Sequence, residues 1–330
     1  MTDHMSLDDV HKKIKKLEEE LRKSIIGMDE TMQSTLICLF AGGHILLEGV
    51  PGLGKTLFFN TLARATSVEF RRISFAADLL PKDVIGIEHF DTETKEVELL
   101  VKGPLHTNIL LADELNRART SSKGSVLEPM EEGQVTTELG GTYQLGDMFM
   151  VVATQNPVET EGTFDLGRAE KDRFLMMVRI AYPKPEDEIE ILYRYGAVRE
   201  KPVVNPVMTE EDILLARKII LQKVHVDMAA ITKIQKILDM TRPERTEIEE
   251  VKKMVELSGG VSPRAGLSII HSARVLAVLQ GADFIGPENI IPVLLPILRH
   301  RLMLKLGEVE EEKVEIRLQE IIDRIVEKVF

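Results

Sequence analysis

Short apolar runs alternate with helix-like stretches between residues 25 and 185, and this alternation is typical of an α/β domain. Because the runs are apolar at nearly every position, rather than at every second one, we expect strands that are covered on both faces. The sequence therefore predicts a parallel sheet in a three-layer domain. The five predicted strands lie at residues 44–48, 70–75, 109–112, 149–154 and 174–182.

Polar segments between these runs predict two hairpin turns. One is the run 91–96, which reads Asp-Thr-Glu-Thr-Lys-Glu, and the other is Gly140-Gly141. Glycine and short polar residues favour the tight turns that join antiparallel strands. We therefore expect small hairpins beside the main sheet.

A charged segment, residues 1–24, precedes the α/β domain. Its apolar residues recur every three or four positions, which predicts an amphipathic helix, and Ser6 with Asp9 forms a possible capping box. The stripe is expected to pack on the chain's own domain, although a partner-binding helix would show the same spacing. Its members are Leu7, Val10, Ile14, Leu17 and Leu21.

The pattern becomes helical from residue 186 to residue 330, which predicts an all-α domain. Ser262-Pro263 is typical of a helix start, with a helix to about Leu279. Gly286-Pro287 predicts another helix to Leu298, in which Pro292 and Pro296 are expected to cause a break or a kink. Two further helices have predicted buried faces, one with Ile213, Ala216, Ile220, Leu221 and Val224 and one with Ile231, Ile234 and Leu238.

Composition narrows the function classes. A net charge of −12 disfavours duplex binding, and the absence of Trp with only 5% aromatic residues disfavours stacking on single strands. The one cysteine, Cys38, lies in an apolar run and is expected to be a buried structural thiol. No apolar run approaches the roughly 18 residues of a membrane span, so a cytoplasmic protein is expected.

The clearest chemical signal is the segment Gly49-Val50-Pro51-Gly52-Leu53-Gly54-Lys55-Thr56, which fits the phosphate-binding loop pattern between a strand and a helix. Its glycines let backbone N–H groups turn toward the phosphates of ATP, and the helix adds its positive end. Lys55 would reach the β- and γ-phosphates, and the Thr56 hydroxyl would hold Mg²⁺. The predicted nucleotide contacts in this segment are Gly49, Pro51, Gly52, Leu53, Gly54, Lys55, Thr56 and Leu57.

A second signal is the acidic pair Asp113-Glu114 at the end of an apolar strand. In a sheet with a phosphate-binding loop, the carboxyl end of a strand faces the nucleotide. Asp113 would then contact the nucleotide's metal as a Mg²⁺ ligand, and Glu114 would polarise the attacking water as general base. A solvated turn would show the same pair, and it is the combination with Lys55 that favours the catalytic interpretation.

Three further polar residues are candidates for the same site. Asn156 follows the next apolar strand and could hold the water or the γ-phosphate. Arg173 could act on the phosphates of a neighbouring subunit, since an arginine supplied in trans stabilises the transferring phosphoryl group. Arg264 lies in the first turn of a predicted helix. Taken alone, a surface ion pair is the favoured interpretation of Arg173, and a solvated helix start is the favoured interpretation of Arg264.

Together these motifs resemble the MoxR family of AAA+ ATPases over roughly residues 20–302. The resemblance implies a P-loop AAA+ three-layer domain with a parallel sheet, followed by an all-α lid domain. The matching segments occur in order along the chain: 46–56, 79–83, 110–117, 153–157 with 161–163, 172–174 and 261–265.

The resemblance also implies roles that composition and spacing do not give. Asn156 would be sensor 1, Arg173 the arginine finger read from the neighbouring subunit, Arg264 sensor 2 in the lid, and Arg117 a further sensor at the subunit boundary. Residues 76–107 resemble an insert with hairpin loops. Members of the family form hexameric rings and work with proteins that carry a von Willebrand factor type A domain.

The sequence departs from the family pattern at two positions. Arg168 stands where the family usually has glutamate, which places a second arginine five residues before Arg173 and leaves both open as the finger, with Arg173 favoured. Met28 stands where glutamine is usual. These departures leave the phosphate-binding loop and the acidic pair unchanged.

Three functions follow from these residues. The favoured one is an ATP-hydrolysing homo-oligomeric ring subunit that remodels, assembles or activates protein partners. The second is a nucleotide-dependent scaffold with little hydrolysis. The third is a DNA-directed AAA+ protein, which the net charge of −12 disfavours.

Overall fold

The computed structural model describes residues 5–90, 92, 97–137, 139–156, 164–198, 202–305 and 313–330. Contacts within the chain divide it into two compact units. The α/β unit comprises residues 13–173 and 178–215, and the helical unit comprises residues 1–12, 174–177 and 216–330. The domain limits predicted from the sequence, 1–24, 25–185 and 186–330, stay a prediction, because clustering of contacts does not show which segment folds by itself.

A five-stranded sheet has the order β2-β5-β8-β1-β9. β2 pairs with β5, β5 with β8, and β8 with β1, all in parallel, so the predicted parallel sheet is confirmed. The strands of the described chain are β1 (Ile45–Glu48), β2 (Phe70–Ser74), β3 (Gly86–Phe90), β4 (Val97–Lys102), β5 (Ile109–Asp113), β6 (Gln134–Thr136), β7 (Thr142–Gln144), β8 (Met150–Gln155) and β9 (Met176–Arg179).

The three central strands of the sheet are buried, whereas the edge strand β2 is not. Residues 45–48 of β1, 109–112 of β5 and 150–154 of β8 are buried, as expected for strands that are covered on both faces. Every residue of β2 is half-buried or exposed, so the prediction of burial on both faces is wrong there. β2 has a strand on one side only, and its charged pair Arg71-Arg72 requires solvent or ionic partners.

The helices are α1 (Leu7–Arg22), α2 (Asp29–Ala41), α3 (Lys55–Ala65), α4 (Pro81–Ile85), α5 (Thr120–Glu132), α6 (Arg168–Lys171), α7 (Pro185–Ile191), α8 (Glu210–Lys223), α9 (Met228–Met240), α10 (Glu249–Met254), α11 (Pro263–Leu279), α12 (Pro287–Leu298) and α13 (Val314–Val329). A 3₁₀ turn at Leu115–Arg117 follows β5, and a π-helical segment at Leu192–Ala197 follows α7. Cys38 is fully buried in α2, as predicted. Over the described ranges, none of the helices has both the length and the apolar character that crossing a membrane requires.

The N-terminal helix α1 has the predicted cap and a buried stripe. Ser6 N–H donates to Asp9 Oδ2 (2.9 Å), and Asp9 N–H donates to Ser6 Oγ (3.1 Å), which confirms the capping box. The side chains of Val10, Ile14, Leu17 and Leu21 have no exposed surface. The alternative of an exposed partner-binding stripe is therefore wrong.

Two antiparallel hairpins lie beside the sheet, formed by β3 with β4 and by β6 with β7. Gly140 and Gly141 lie between β6 and β7, where Thr137 N–H donates to Gly141 O (2.9 Å), so the second predicted hairpin is confirmed. The first predicted tip lies between β3 and β4, and apart from Thr92 its residues are outside the described part of the chain. The region from 76 to 107 thus contains a hairpin, as the resemblance implies.

Most predicted helices of the C-terminal region are confirmed, with two corrections. α11 and α12 end at the predicted residues, but α12 runs unbroken through Pro292 and Pro296, so the expected break is wrong. Each proline removes one N–H donor, and the remaining bonds of an apolar, largely buried helix suffice to hold it. Two members of the predicted buried faces are exposed: Leu221 at 54%, because it points about 100° around the helix from its buried neighbour Ile220, and Ile231 at 37%.

In the helical unit, two buried arginines after α12 bind main-chain carbonyls of residues 174–177. Arg301, which is 3% exposed, donates through Nη2 to Phe174 O (2.7 Å) and through Nη1 to Leu175 O (3.2 Å). Arg299 donates through Nη1 to Met177 O (2.7 Å). These bonds join the segment 174–177 to the residues after α12, and His300 Nε2 lies 3.1 Å from the same Phe174 O.

Arg301→Met is therefore expected to lower the free energy of unfolding by about 1–3 kcal/mol, because the aliphatic side chain fills the space but removes the bond to Leu175 O and one of the two contacts of Phe174 O. Urea unfolding followed by circular dichroism measures the change. Arg317→Met is the control, because Arg317 is an exposed partner of Glu320 on α13, and it should change stability by less than about 0.5 kcal/mol. Equal effects of the two substitutions would show that the contacts of Arg301 with these carbonyls do not contribute to the free energy of unfolding.

Candidate functional site

The loop between β1 and α3 turns on glycines with a left-handed backbone. Gly52 has φ +88° and Gly54 has φ +79°, values at which a side chain is strained. At Gly49, an added β-carbon would lie 2.8 Å from the carbonyl oxygen of Ile180. Gly52 and Gly54 are thus required for the turn. Gly49 is required because the chain that follows β9 approaches it closely.

Helix α3 begins directly after this loop, at Lys55. Phe58 N–H donates to Gly54 O (2.9 Å), so helical bonding begins there, and the N–H groups before it are those that a helix start offers to an external anion. Lys55 Nζ donates back across the loop to Gly49 O (3.0 Å). Burial lowers the pKa of the Lys55 ammonium, and the negative charges of Asp113 and Glu114 oppose that shift.

The acidic pair at the end of β5 is linked to β8 through one buried hydroxyl. Thr154 Oγ1 donates to Asp113 Oδ1 (2.6 Å) and accepts from the N–H of Glu114 (2.9 Å). Glu114 itself has φ +57° and ψ +42°, a left-handed conformation that is uncommon outside glycine. The link fixes the main chain at this turn, so both carboxylates are held at the carboxyl edge of the sheet.

Each carboxylate of the pair contacts an arginine. Arg72, on β2, donates to Asp113 Oδ2 through Nη2 (2.6 Å) and Nε (3.2 Å). Arg117, in the 3₁₀ turn, lies with Nε 3.2 Å from Glu114 Oε2. In this arrangement the negative charge of the site is partly neutralised by groups of the same chain.

The end of β8 brings Asn156 to the same edge, next to Gln155. Gln155 Nε2 donates to Glu48 Oε1 (2.8 Å), and Arg179 Nε donates to Glu48 Oε2 (2.5 Å). Glu48 is the last residue of β1, so these bonds link the ends of three adjacent strands, β8, β1 and β9. Asn156 follows β8 directly at this edge of the sheet. The predicted sensor thus lies beside the loop and the acidic pair.

These elements enclose an open cleft of about 220 Å³. It is lined by the loop and helix start (Gly49, Pro51, Gly52, Gly54, Lys55, Thr56, Leu57), by the acidic pair with Arg72, and by Thr154, Gln155 and Asn156. Leu53 does not line the cleft. Its predicted contact with a nucleotide stays a prediction, and the contact would be made by the backbone N–H of Leu53.

Arg173, Arg168 and Arg264 do not line this cleft. Arg173 Nη1 donates to Leu127 O, and its Nε lies 3.5 Å from Glu131 Oε2, so it is attached to α5 of its own chain. Arg168 is exposed in α6, and Arg264 is exposed in the first turn of α11 in the helical unit. Their predicted roles at a shared site require other contacts and stay predictions.

The cleft fits a magnesium nucleotide better than a metal held by protein alone. Among the residues that the structure describes, no group of three or more His, Cys, Asp or Glu side chains could hold a metal ion. Thr56 and Asp113 both line the cleft and present the oxygen ligands that Mg²⁺ prefers, and Mg²⁺ takes its remaining ligands from water and phosphate. The loop, the helix start and Lys55 supply donors for those phosphates.

Sequence reasoning missed three residues of the cleft: Arg72, Thr154 and Gln155. Arg72 lies in a predicted strand, and its contact with Asp113 depends on the register of β2 against β5, which the local sequence does not specify. Thr154 and Gln155 precede Asn156 directly, but only the register of β8 against β5 and β1 shows that they face the acidic pair and Glu48.

Family comparisons agree with this geometry. Residues 44–176 match the ATPase family associated with various cellular activities (AAA), and residues 252–325 match the AAA lid domain. The first match contains the phosphate-binding loop, the acidic pair, Asn156 and Arg173. The second contains Arg264. The AAA fold with a helical lid is thus established for this chain.

Individual relatives cover nearly the whole chain. Chaperone MoxR1 of Mycobacterium tuberculosis is 38% identical over 319 residues, which span 94% of this chain and 80% of that protein. Protein MoxR of Methylorubrum extorquens is 26% identical over 96% of this chain and 93% of its own length. A crystal structure of a protein assigned as an ATPase from Cytophaga hutchinsonii superimposes with a TM-score of 0.86 and 36% identity, over 97% of this chain and 95% of that one.

Proposed function

We propose a function from one premise: this chain belongs to the MoxR family of AAA+ ATPases. It binds ATP with Mg²⁺ in the cleft, hydrolyses the ATP to ADP and phosphate, and uses the reaction to remodel, assemble or activate protein partners. The observation that supports this most directly is the convergence of Lys55, Thr56, Asp113, Glu114 and Asn156 on one cleft at the carboxyl edge of a parallel sheet.

The residues of the cleft divide the chemistry between them. Lys55 and the N–H groups at the start of α3 bind the β- and γ-phosphates, and Thr56 and Asp113 hold Mg²⁺, which neutralises phosphate charge when it is bound. Glu114 accepts the proton of the attacking water, and Asn156 orients that water or the γ-phosphate. The Thr154 hydroxyl positions both carboxylates, since it bonds to Asp113 and to the backbone of Glu114.

Isothermal titration calorimetry tests the binding step. ATP should bind with a stoichiometry near one per chain in the presence of Mg²⁺, and phosphate release should follow. If the purified protein took up no ATP in a magnesium-dependent way, the proposed function would be wrong. Binding without phosphate release would instead support the scaffold described below.

Ring assembly is part of the proposal, because a site that is completed by an arginine of another subunit needs a head-to-tail interface, and such an interface forms a ring when the rotation between subunits closes. The resemblance supports a hexamer with Arg173 as the finger. For Arg173 to act in this way, it must exchange its contacts with α5 for a neighbour's nucleotide. Arg117 then acts at the subunit boundary, and Arg264 reports from the lid.

Mixing two inactive variants is expected to restore activity if Arg173 acts in trans. Arg173→Ala subunits keep Glu114, and Glu114→Gln subunits keep Arg173, so random mixing completes about one quarter of the sites. Steady-state phosphate release of the equimolar mixture should therefore rise to about a quarter of the wild-type rate, far above either variant alone.

The same experiment with Arg168→Ala decides which arginine is the finger. If Arg173 is the finger, Arg168→Ala keeps its own activity and gains nothing from mixing. If the Arg173→Ala mixture shows only the average of its two components, Arg173 is not the arginine supplied between subunits, and if the Arg168→Ala mixture also shows only the average, neither arginine is. Wild-type activity per subunit that stays constant through full dissociation into monomers would show that no residue of a neighbouring subunit is needed.

The proposed targets of the ATPase are proteins. The relative from M. tuberculosis is named a chaperone, and the resemblance adds partners with a von Willebrand factor type A domain. The negative net charge of −12 supports protein rather than nucleic acid as the target. Glu114→Gln protein held in ATP should retain a purified candidate partner on an affinity column, and ADP should release it.

A nucleotide-dependent scaffold is a second candidate, and one observation favours it. Both catalytic carboxylates already pair with arginines, Asp113 with Arg72 and Glu114 with Arg117, which leaves the site partly neutralised. Such a state would hydrolyse ATP slowly until a partner or a neighbouring subunit withdrew the arginines. Phosphate release measured with and without a partner distinguishes the two candidates.

A further inference from the structure

We propose that Arg72 is a counter-ion that Mg²⁺ must displace from Asp113, so that Arg72 sets the magnesium concentration at which nucleotide is bound. The inference deepens the proposed function and depends on it, because it concerns the same cleft. It assigns the role of a competing cation to a residue on the edge strand β2 that the phosphate-binding motifs do not include.

The geometry supports a direct competition. Asp113 has two carboxylate oxygens, and each has a partner: Thr154 Oγ1 donates to Oδ1 at 2.6 Å, and Arg72 donates to Oδ2 through Nη2 at 2.6 Å and Nε at 3.2 Å. Thr154 is buried and bonded also to the Glu114 N–H, so its hydrogen bond belongs to the framework of the turn. Oδ2 is therefore the oxygen that can exchange its partner.

The two members of the Arg72–Asp113 ion pair differ in their access to water. The Arg72 side chain is 47% exposed, whereas that of Asp113 is 16% exposed. A guanidinium that moves away from Asp113 regains water, but the carboxylate that it leaves remains poorly solvated. Asp113 consequently needs a cation at all times, and Arg72 supplies one until a metal ion takes its place.

The position of Arg72 in the sheet maintains this contact. β2 pairs with β5 in parallel, with Arg72 opposite Leu111 and Ser74 opposite Asp113. The side chain of Arg72 extends along the sheet toward the carboxyl edge and lines the cleft. Its neighbour Arg71 bonds instead to Glu69, at 2.8 Å from Nε to Oε1, and does not line the cleft.

Arg72→Gln is expected to lower the free Mg²⁺ concentration that gives half-maximal nucleotide binding by about threefold to tenfold, because the competing cation is removed while Asp113 keeps its charge. The measurement is fluorescence of a labelled, non-hydrolysable ATP analogue, titrated with Mg²⁺ at fixed nucleotide. Arg72→Lys keeps the charge but loses the two-pronged contact, and should give a smaller shift in the same direction.

Arg71→Gln is the matched control, since it removes the same charge from the same strand but leaves the cleft intact, and its half-maximal Mg²⁺ concentration should equal that of the wild type. An unchanged or higher Mg²⁺ requirement in Arg72→Gln would overturn the inference. So would weaker nucleotide binding at every Mg²⁺ concentration with the same half-maximal point, because that result identifies a phosphate ligand.

These outcomes differ from a failure of the proposed function. If the wild-type protein itself bound the analogue without any dependence on Mg²⁺, or did not bind it, the proposed ATP site would be wrong. If the wild type showed the dependence and Arg72→Gln shifted it no more than Arg71→Gln, only the competition would be wrong.

Discussion

Glu114→Gln is expected to lower the rate of ATP hydrolysis by about 10²–10⁴-fold and to leave ATP binding nearly unchanged. The amide has the same shape as the carboxylate but cannot accept the proton of the attacking water. The backbone contact from residue 114 to Thr154 does not involve the side chain, so the turn should survive the change. Steady-state phosphate release and calorimetric ATP titration measure the two quantities separately.

The control for this substitution is Glu132→Gln, which makes the same chemical change at an exposed residue at the end of α5. It should hydrolyse ATP at the wild-type rate. Normal turnover in Glu114→Gln would remove the assignment of Glu114 as the base. A parallel loss of ATP binding would show that the carboxylate contributes to the fold of the cleft rather than to the chemistry.

Lys55→Ala is expected to weaken ATP binding by about 100-fold, the loss that follows when a charged hydrogen bond to phosphate is removed. In the structure, Lys55 Nζ donates to a neutral carbonyl, Gly49 O, and burial lowers the pKa of the ammonium. The ammonium is thus poorly compensated without a ligand, and the phosphates of a nucleotide would supply the anionic partner. Calorimetry with and without Mg²⁺ measures the change.

The fold should tolerate this substitution, because alanine favours the helix and removes a partly desolvated charge from the start of α3. Circular dichroism and the unfolding midpoint should therefore match the wild type. Lys16→Ala, at an exposed position of α1, is the control for loss of one positive charge. ATP uptake that was equal in Lys55→Ala and Lys16→Ala would contradict the proposed site.

Local sequence patterns predicted the central sheet and the phosphate-binding loop, for physical reasons. A strand that is covered on both faces must be apolar throughout, so β1, β5 and β8 are visible as runs. The loop is visible because its glycines adopt backbone conformations that other residues avoid, and because Lys55 and Thr56 follow at a fixed distance along the chain. Both signals lie within a few neighbouring residues.

The features that were missed depend on residues that are far apart in the sequence. The contact between Arg72 and Asp113 joins two strands through their register, which no local pattern specifies. The edge position of β2 follows from the order of the strands, and the same order explains its exposure. Helix α12 continues through two prolines because its burial outweighs a local preference.

The left-handed backbone of Glu114 has a consequence for protein engineering. Glycine or asparagine would adopt φ +57° with less strain, by roughly 1–2 kcal/mol for glycine, so a screen for heat-resistant variants would favour replacing Glu114. On the proposed mechanism, the variants selected by such a screen would be more stable to heat but would no longer hydrolyse ATP at the wild-type rate. Library designs that aim at durability should therefore keep position 114 fixed.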